Sequence, residues 1–293
     1  MRRPGGQTAG REVTRREFVA GSLALTLGSV PLLGAAARLP AGRPGRFPLG
    51  IQLYTLRDLL KQDLAGTLAQ LARLGCQEVE FAGTYGHPAG EVRKLLDRHH
   101  LKAPAGHCDI TDVTDKLAQT IDTAKALGHR YVIVAWIPDE LRTAEGYRSV
   151  ADTFNRAGAA LRKAGLTLGY HNHSFEFASL EGGQTGYDIL LEHTDPALVT
   201  MELDLFWIRK GGQDAFEYFR RHRGRFSLVH VKDMAADGSM VDVGAGVMPW
   251  PELLTAARAA GVRHAFVEHD EASDPLAFAR TSFAYMKQVA IGA

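Results

Sequence analysis

The sequence predicts a single (β/α)8 TIM barrel of the α/β class, on three observations. Eight short apolar segments recur along the chain at about 30 residues per repeat, the size of one strand–helix unit. Segments with helical apolar spacing lie between them. Polar side chains crowd the C-terminal ends of the later strands, the end where barrels of this kind bind ligands.

The candidate strands are GIQLYT (50–55), EVEFAG (78–83), KAPAGH (102–107), YVIVAW (131–136), LTLGYH (166–171), VTMELD (199–204), SLVHVK (227–232) and AFVEHD (265–270). In the first helix Leu64, Leu68, Leu71 and Leu74 recur at three and four. Leu117, Ile121, Ala124 and Leu127 do the same further on, and so do Val92, Leu95 and Leu96. Gly75, Gly128, Gly165 and Gly261 stand where helices should stop before the next strand. An open doubly wound sheet is the rival architecture. It would place a glycine-rich phosphate turn after the first strand, and YTLRDLL has none. VGAGVMP (243–249) has the wrong spacing and does not leave a strand into a helix.

Residues 1–37 stand apart from this rhythm. Arg15, Arg16, Glu17 and Phe18 precede a modest apolar run, Val19 to Leu33, that leads to Ala35-Ala36-Ala37. That is the layout of an export signal with paired arginines, of the twin-arginine type. Glycine, serine and proline interrupt the run, which is shorter than the ~20 apolar residues a membrane span needs. Residues 38–47, rich in Pro, Gly and Arg, read as a linker, and residues 48–293 as the barrel. The expected location is exported, in the periplasm, with the export machinery as a partner and no stable membrane insertion. Loss of residues 1–37 removes five Arg and two Glu, turning a formal +1 into about −2. No basic surface then remains for nucleic acid. Cys76 and Cys108 fall at opposite ends of a parallel sheet, so no bridge between them is expected.

The polar inventory at the strand ends sets the chemistry. Glu176, Asp204, His230 and Glu268 lie 28, 26 and 38 residues apart, one for each of four consecutive strands. Three carboxylates converging on one mouth repel each other unless a cation or a proton intervenes. With an imidazole beside them they suit one divalent ion such as Mn²⁺, Mg²⁺, Co²⁺ or Zn²⁺. Tyr54, Glu80, His107, Trp136, His171, His173, Trp207, Lys232 and His269 share that end. Of these, Glu80, His107, Trp136, His173, Trp207 and Lys232 are the candidates for substrate binding, the tryptophans as platforms for a sugar ring. A lone histidine is more often a satisfied structural group, and Asp233 and Asp270 suit loop or helix caps.

YHNHSFEF, ELDLFW, HVKDM and VEHD, in this order along a βα-repeating chain, resemble the xylose isomerase-like barrel family of sugar isomerases and epimerases, in its exported twin-arginine branch. The likeness covers nearly all of residues 48–290. It implies a divalent metal held by Glu176, Asp204, His230 and Glu268, with Glu176 and Glu268 moving protons. In many members the first glutamate sits inside the fifth-strand motif, at about the position of Tyr170. This chain has YHNH there, so the resemblance passes the role to Glu176.

The expected activity is therefore proton transfer next to the carbonyl of a small neutral sugar or keto-sugar, giving isomerisation or epimerisation. The same site would act as a lyase or dehydratase on 3-keto-glycosides or inosose-like rings if a leaving group lay one carbon further on. A phosphodiesterase of the endonuclease IV type would want more histidines and a basic rim. A non-catalytic periplasmic sugar-binding protein would have no use for the quartet. The sugar charge is read from the last strand, where Asp270, Glu271 and Asp274 would repel a phosphate. Oligomeric state is left open.

Overall fold

The computed structural model describes residues 47–289; the segment expected to be an export signal, and nearly all of the expected linker, lie outside them. Eight parallel strands close into a barrel in chain order. They are β1 (Gly50–Gln52), β2 (Glu78–Ala82), β3 (Lys102–Cys108), β4 (Tyr131–Val134), β5 (Thr167–His171), β6 (Val199–Asp204), β7 (Phe226–Val231) and, last, β10 (His264–Val267). Every predicted strand is present. The first is shorter than expected, because Leu53–Leu56 turn into a 3₁₀ helix whose start Gln52 caps from its side chain. A small hairpin, β8 (Asp233–Met234) with β9 (Met240–Val241), which the sequence reading did not foresee, sits between the seventh and eighth barrel strands.

Helices pack outside the barrel. The largest is α6 (Ala144–Lys163), the sixth of eleven among the described residues. Helices end where glycine permits a left-handed residue: Gly128 at φ 80° and Gly261 at φ 110°. Both cysteines are free, Cys76 buried and Cys108 partly so. No helix among the described residues is long and apolar enough to cross a membrane.

The strand period of two decides what faces inward. Ala105, Tyr131, Ile133, Leu228 and Phe266 form a buried cluster separate from the larger core, and they are the apolar filling of the barrel. Two glycines make room for that filling. A Cβ on Gly169 would stand 2.4 Å from Cδ1 of Ile133, and one on Gly50 2.6 Å from Cδ1 of Phe266. At the N-terminal end, polar pairs close the barrel: Glu78 with His264 at 2.7 Å and Thr200 with Ser227 at 2.7 Å. Continuing the same alternation toward the other end brings the functional candidates into the interior.

Candidate active site at the barrel mouth

One step above the apolar layer, Gln52, Glu80, His107, His171, Glu202 and His230 form a polar layer, of which Gln52, Glu80, Glu202 and His230 are wholly buried. Glu202 Oε2 lies 2.8 Å from Nε2 of His107, 3.3 Å from Nε2 of His230 and 3.5 Å from Nδ1 of His171. Glu80 Oε2 accepts from Gln52 Nε2 at 2.9 Å and sits 2.6 Å from Nε2 of His230.

A further step up are Asp204, Glu268 and Lys232. Asp204 ends β6 and caps the helix that follows. Its Oδ1 accepts from the amides of Phe206 and Trp207 at 2.9 and 2.8 Å, which leaves Oδ2 toward the mouth. His230 Nδ1 stands 2.6 Å from Glu268 Oε2 and 3.8 Å from Asp204 Oδ2. Lys232 Nζ reaches Asp204, Glu268 and Asp270 at 3.2, 2.8 and 2.8 Å.

These groups shift one another strongly. Burial would raise Glu268, but the Lys232 ammonium and His230 hold its carboxyl well below the usual range. Burial would lower Lys232, and the carboxylates of Asp204, Glu268 and Asp270 overcome that and raise it. Asp204 is pushed up to about 6, chiefly by burial. Burial also pushes His173 down to about 3, so its ring is a neutral donor or acceptor.

The interior layer meets a cavity of about 580 Å³ whose walls include His107, Trp136, His173, Trp207, Lys232 and Glu268. That is within the size range of small-molecule sites. Trp136 is 44% exposed at the rim. Its ring is edge-on to His173 at 4.9 Å and to Phe175 at 5.0 Å, with the Arg142 guanidinium 4.5 Å from its centroid.

Two sequence expectations need correction. Glu176 does not join Asp204, His230 and Glu268. It follows β5 in a 3₁₀ turn, Phe175–Phe177. Its carboxylate accepts from the Tyr170 hydroxyl at 2.5 Å and from the His173 amide at 2.9 and 3.0 Å. Tyr170 alternates with the inward Gly169 and His171, and packs on Phe154 of α6, so Glu176 is bound to the barrel's outer side. The inward place at the end of β5 belongs to His171. Glu80 is the second correction: with no exposed surface it lies below the cavity wall and cannot touch a substrate.

The side chains able to hold a metal form two overlapping groups, Asp204 with His230 and Glu268, and His107 with His171, Glu202 and His230. Several buried atoms among them complete no well-angled hydrogen bond, although charged neighbours stand close: Asp204 Oδ2, His230 Nδ1, Glu268 Oε2 and His171 Nδ1. Buried polar atoms are rarely left so, and oxygen and imidazole donors are what a divalent ion of the Mn²⁺ or Zn²⁺ kind takes. The residues fit such an ion. Sequence reasoning missed Glu202 and the inward place of His171, yet the signal was there. In MELD, Glu202 and Asp204 are two apart and so share a face, and His171 is two beyond Gly169.

Comparisons with known proteins agree with this geometry. The family model described as xylose isomerase-like TIM barrel matches residues 68–289. An inosose dehydratase of Geobacillus kaustophilus is 23% identical over 193 residues, covering 58% of this chain and 62% of that protein, less than two thirds of its length. A crystal structure of a sugar phosphate isomerase/epimerase from Parabacteroides distasonis superposes with a TM-score of 0.74 at 26% identity, over 84% of this chain and 94% of that one. The structure of an L-ribulose 3-epimerase shares the fold at TM-score 0.65 and 15% identity, over 84% and 95% of the two chains. A barrel closed in chain order, polar at its C-terminal mouth and matched by that model over most of its length, belongs to the xylose isomerase-like TIM barrel family.

Proposed function

We propose that the protein is a divalent-metal-dependent enzyme that breaks a C–H bond beside the carbonyl of a small neutral sugar or cyclic polyol, as an isomerase or epimerase. The observation that carries this reading is the convergence of ligand atoms of Asp204, His230 and Glu268, all buried and within 4.8 Å of one another, at the foot of a cavity of sugar size. Those three residues, with His171 beside them, would hold the ion. When bound, such an ion polarises a carbonyl and an adjacent hydroxyl, which acidifies the C–H between them.

The side chains do the rest. Glu268, held ionised by Lys232 and His230, is the group poised to accept the proton. Trp136 and Trp207 offer ring faces and edges to the sugar. Lys232 is tied to three carboxylates and the helix starting at Pro275 has its first turn occupied by Asp274, whose Oδ1 accepts from the Ala277 amide at 3.0 Å. Neither offers a free place for a phosphate, which favours a neutral substrate over the phosphorylated one named for the Parabacteroides protein.

The position of Glu176 favours a second reading, dehydration. A proton shuttle between two glutamates needs both at the mouth, and only Glu268 is there. Elimination of water can run on one carboxyl group, which takes the C–H proton and hands it to the hydroxyl departing from the next carbon, and the Geobacillus relative is named for a dehydration. Proton NMR in D₂O separates the readings. Neutral keto-sugars, inososes and their phosphates would be incubated with protein loaded with Mn²⁺ or Zn²⁺, and with protein stripped by chelator. Exchange of one C–H in a neutral compound, abolished by chelation, is expected. An epimer as product supports isomerase chemistry, and loss of water supports the dehydratase. Exchange confined to phosphates, or untouched by chelation, rejects the proposal.

A further inference from the structure

We infer that Glu80, lying under the mouth and out of reach of any substrate, is a positioning residue that fixes the tautomer of His230. The inference rests on the metal reading of the mouth. His230 has one ring nitrogen facing each way. Nδ1 points up, 2.6 Å from Glu268 Oε2 and 3.8 Å from Asp204 Oδ2. Nε2 points down, 2.6 Å from Glu80 Oε2 and 3.3 Å from Glu202 Oε2. An imidazole can lend Nδ1 to a cation only if its remaining proton is on Nε2. A carboxylate under Nε2 accepts that proton's hydrogen bond and so holds the ring in that form, turned the right way.

The local construction is suited to the task. Glu80 is inward by strand parity, two residues above Glu78 on β2. Its Oε2 is the one that faces His230, and Gln52 Nε2 pins the same atom at 2.9 Å from the neighbouring strand. Gln52 is itself held, because its Oε1 accepts from the Tyr54 amide at 3.1 Å. Glu202 backs the arrangement from the other side, anchored by His107 at 2.8 Å. The rings of His107 and His230 lie nearly parallel at 5.3 Å, so His230 has neighbours on its face as well as its edges. Nothing in the cavity wall requires Glu80, and an ionisable side chain with no exposure is retained in a barrel interior only when it is paired.

The rival explanations are an ion pair that only stabilises the fold and a second cation sitting lower, among His107, Glu202 and Nε2 of His230. Three measurements on the intact chain decide between them. Metal content of the saturated wild type is expected at one ion per chain. In the zinc-loaded form, ¹⁵N-edited NMR of the histidine side chains should show His230 protonated on Nε2, which needs no variant to fold. In Glu80→Gln, zinc affinity measured by competition with a chromophoric chelator should fall by the ~10–100-fold typical of an outer-shell partner, and the visible spectrum of the cobalt form should change. A variant that melts lower yet keeps wild-type affinity and spectrum overturns the inference. So does a proton on Nδ1 of His230, or a second ion bound through Nε2. Failure to bind any divalent ion sinks the function proposal and this inference together, whereas binding without sugar chemistry sinks only the former.

Discussion

Glu268 and Glu176 stand at the ends of two strands of one barrel, and the sequence treats them alike. The structure does not. Glu268 follows β10 on the inner side, beside His230 and Lys232, in contact with the cavity. Glu176 hangs below the loop after β5 on the outer side, where Tyr170 donates to it. Tyr147 and Tyr187 also feel its charge, which adds to the burial that raises both phenols. The cations around Glu268 hold its charge in place, and the apolar, phenolic surroundings of Glu176 disfavour one. Position along the chain thus says less about a carboxylate's task than the side of the strand it falls on.

Substitution to glutamine breaks the comparison first at Glu268. If it is the proton acceptor, Glu268→Gln should slow solvent exchange of the substrate C–H by about 10²–10⁴-fold. Glu176→Gln should leave the exchange rate within a few-fold of wild type. Equal losses in the NMR assay for the two variants would erase the distinction and return Glu176 to the chemistry.

The second contrast is in stability, and its sign follows from burial. Burial raises Glu176 from an ordinary 4.5 to about 7, although Tyr170 and the His173 amide pull the other way. A carboxyl whose pKa is higher in the folded chain keeps a proton that the unfolded chain gives up between those values. Stability therefore falls as pH rises from about 4.5 to about 7 and is level above that. At about 1.4 kcal/mol per pH unit the loss comes to about 3 kcal/mol. Urea titrations of wild type and Glu176→Gln between pH 4 and pH 8 should show the difference between them shifting by that amount, in favour of the variant at high pH. Parallel stability curves would mean that the Glu176 carboxyl titrates alike in the folded and unfolded chain.

Which features could be read from sequence follows from the same physics. The eight strands were readable because barrel strands are short apolar runs at even spacing, and β6 was located to the residue, Val199–Asp204. Asp204, His230 and Glu268 were readable as a set because each lies within one residue of the end of such a run. Glu176 misled because it comes five residues after β5 ends, beyond the reach of strand alternation, where a 3₁₀ turn chooses the side. Glu202 was passed over as a residue within a strand, though it shares a face with Asp204. The β8–β9 hairpin was out of reach for another reason. It is organised around buried Asp233, whose carboxylate accepts from the amides of Met234, Gly244, Gly246 and Met248 and from the Trp250 indole. Contacts that reach seventeen positions along the chain have no periodic signature.

The smallest expected effect lies at the rim, where aromatic rings of the two sides can also be set against each other. Tyr187, Phe177 and Tyr218 pack together outside the barrel, with Tyr187 and Phe177 at 4.9 Å, and all three are buried. Trp136, by contrast, keeps 44% of its surface and leans on His173 and Phe175. A ring left so exposed contributes little to folding, so its loss should register in binding. Trp136→Ala removes one aromatic face from the cavity, an interaction worth about 0.5–1.5 kcal/mol. That corresponds to a rise in KM of roughly 2–12-fold. The turnover number should hardly move, because the ring does not touch Glu268 or His230 and would grip ground state and transition state alike. Steady-state kinetics on whichever neutral sugar shows exchange would measure both constants. A fall in kcat with KM unchanged would place Trp136 among the groups that act on the reacting carbon, and would move the substrate from the rim to deeper in the barrel.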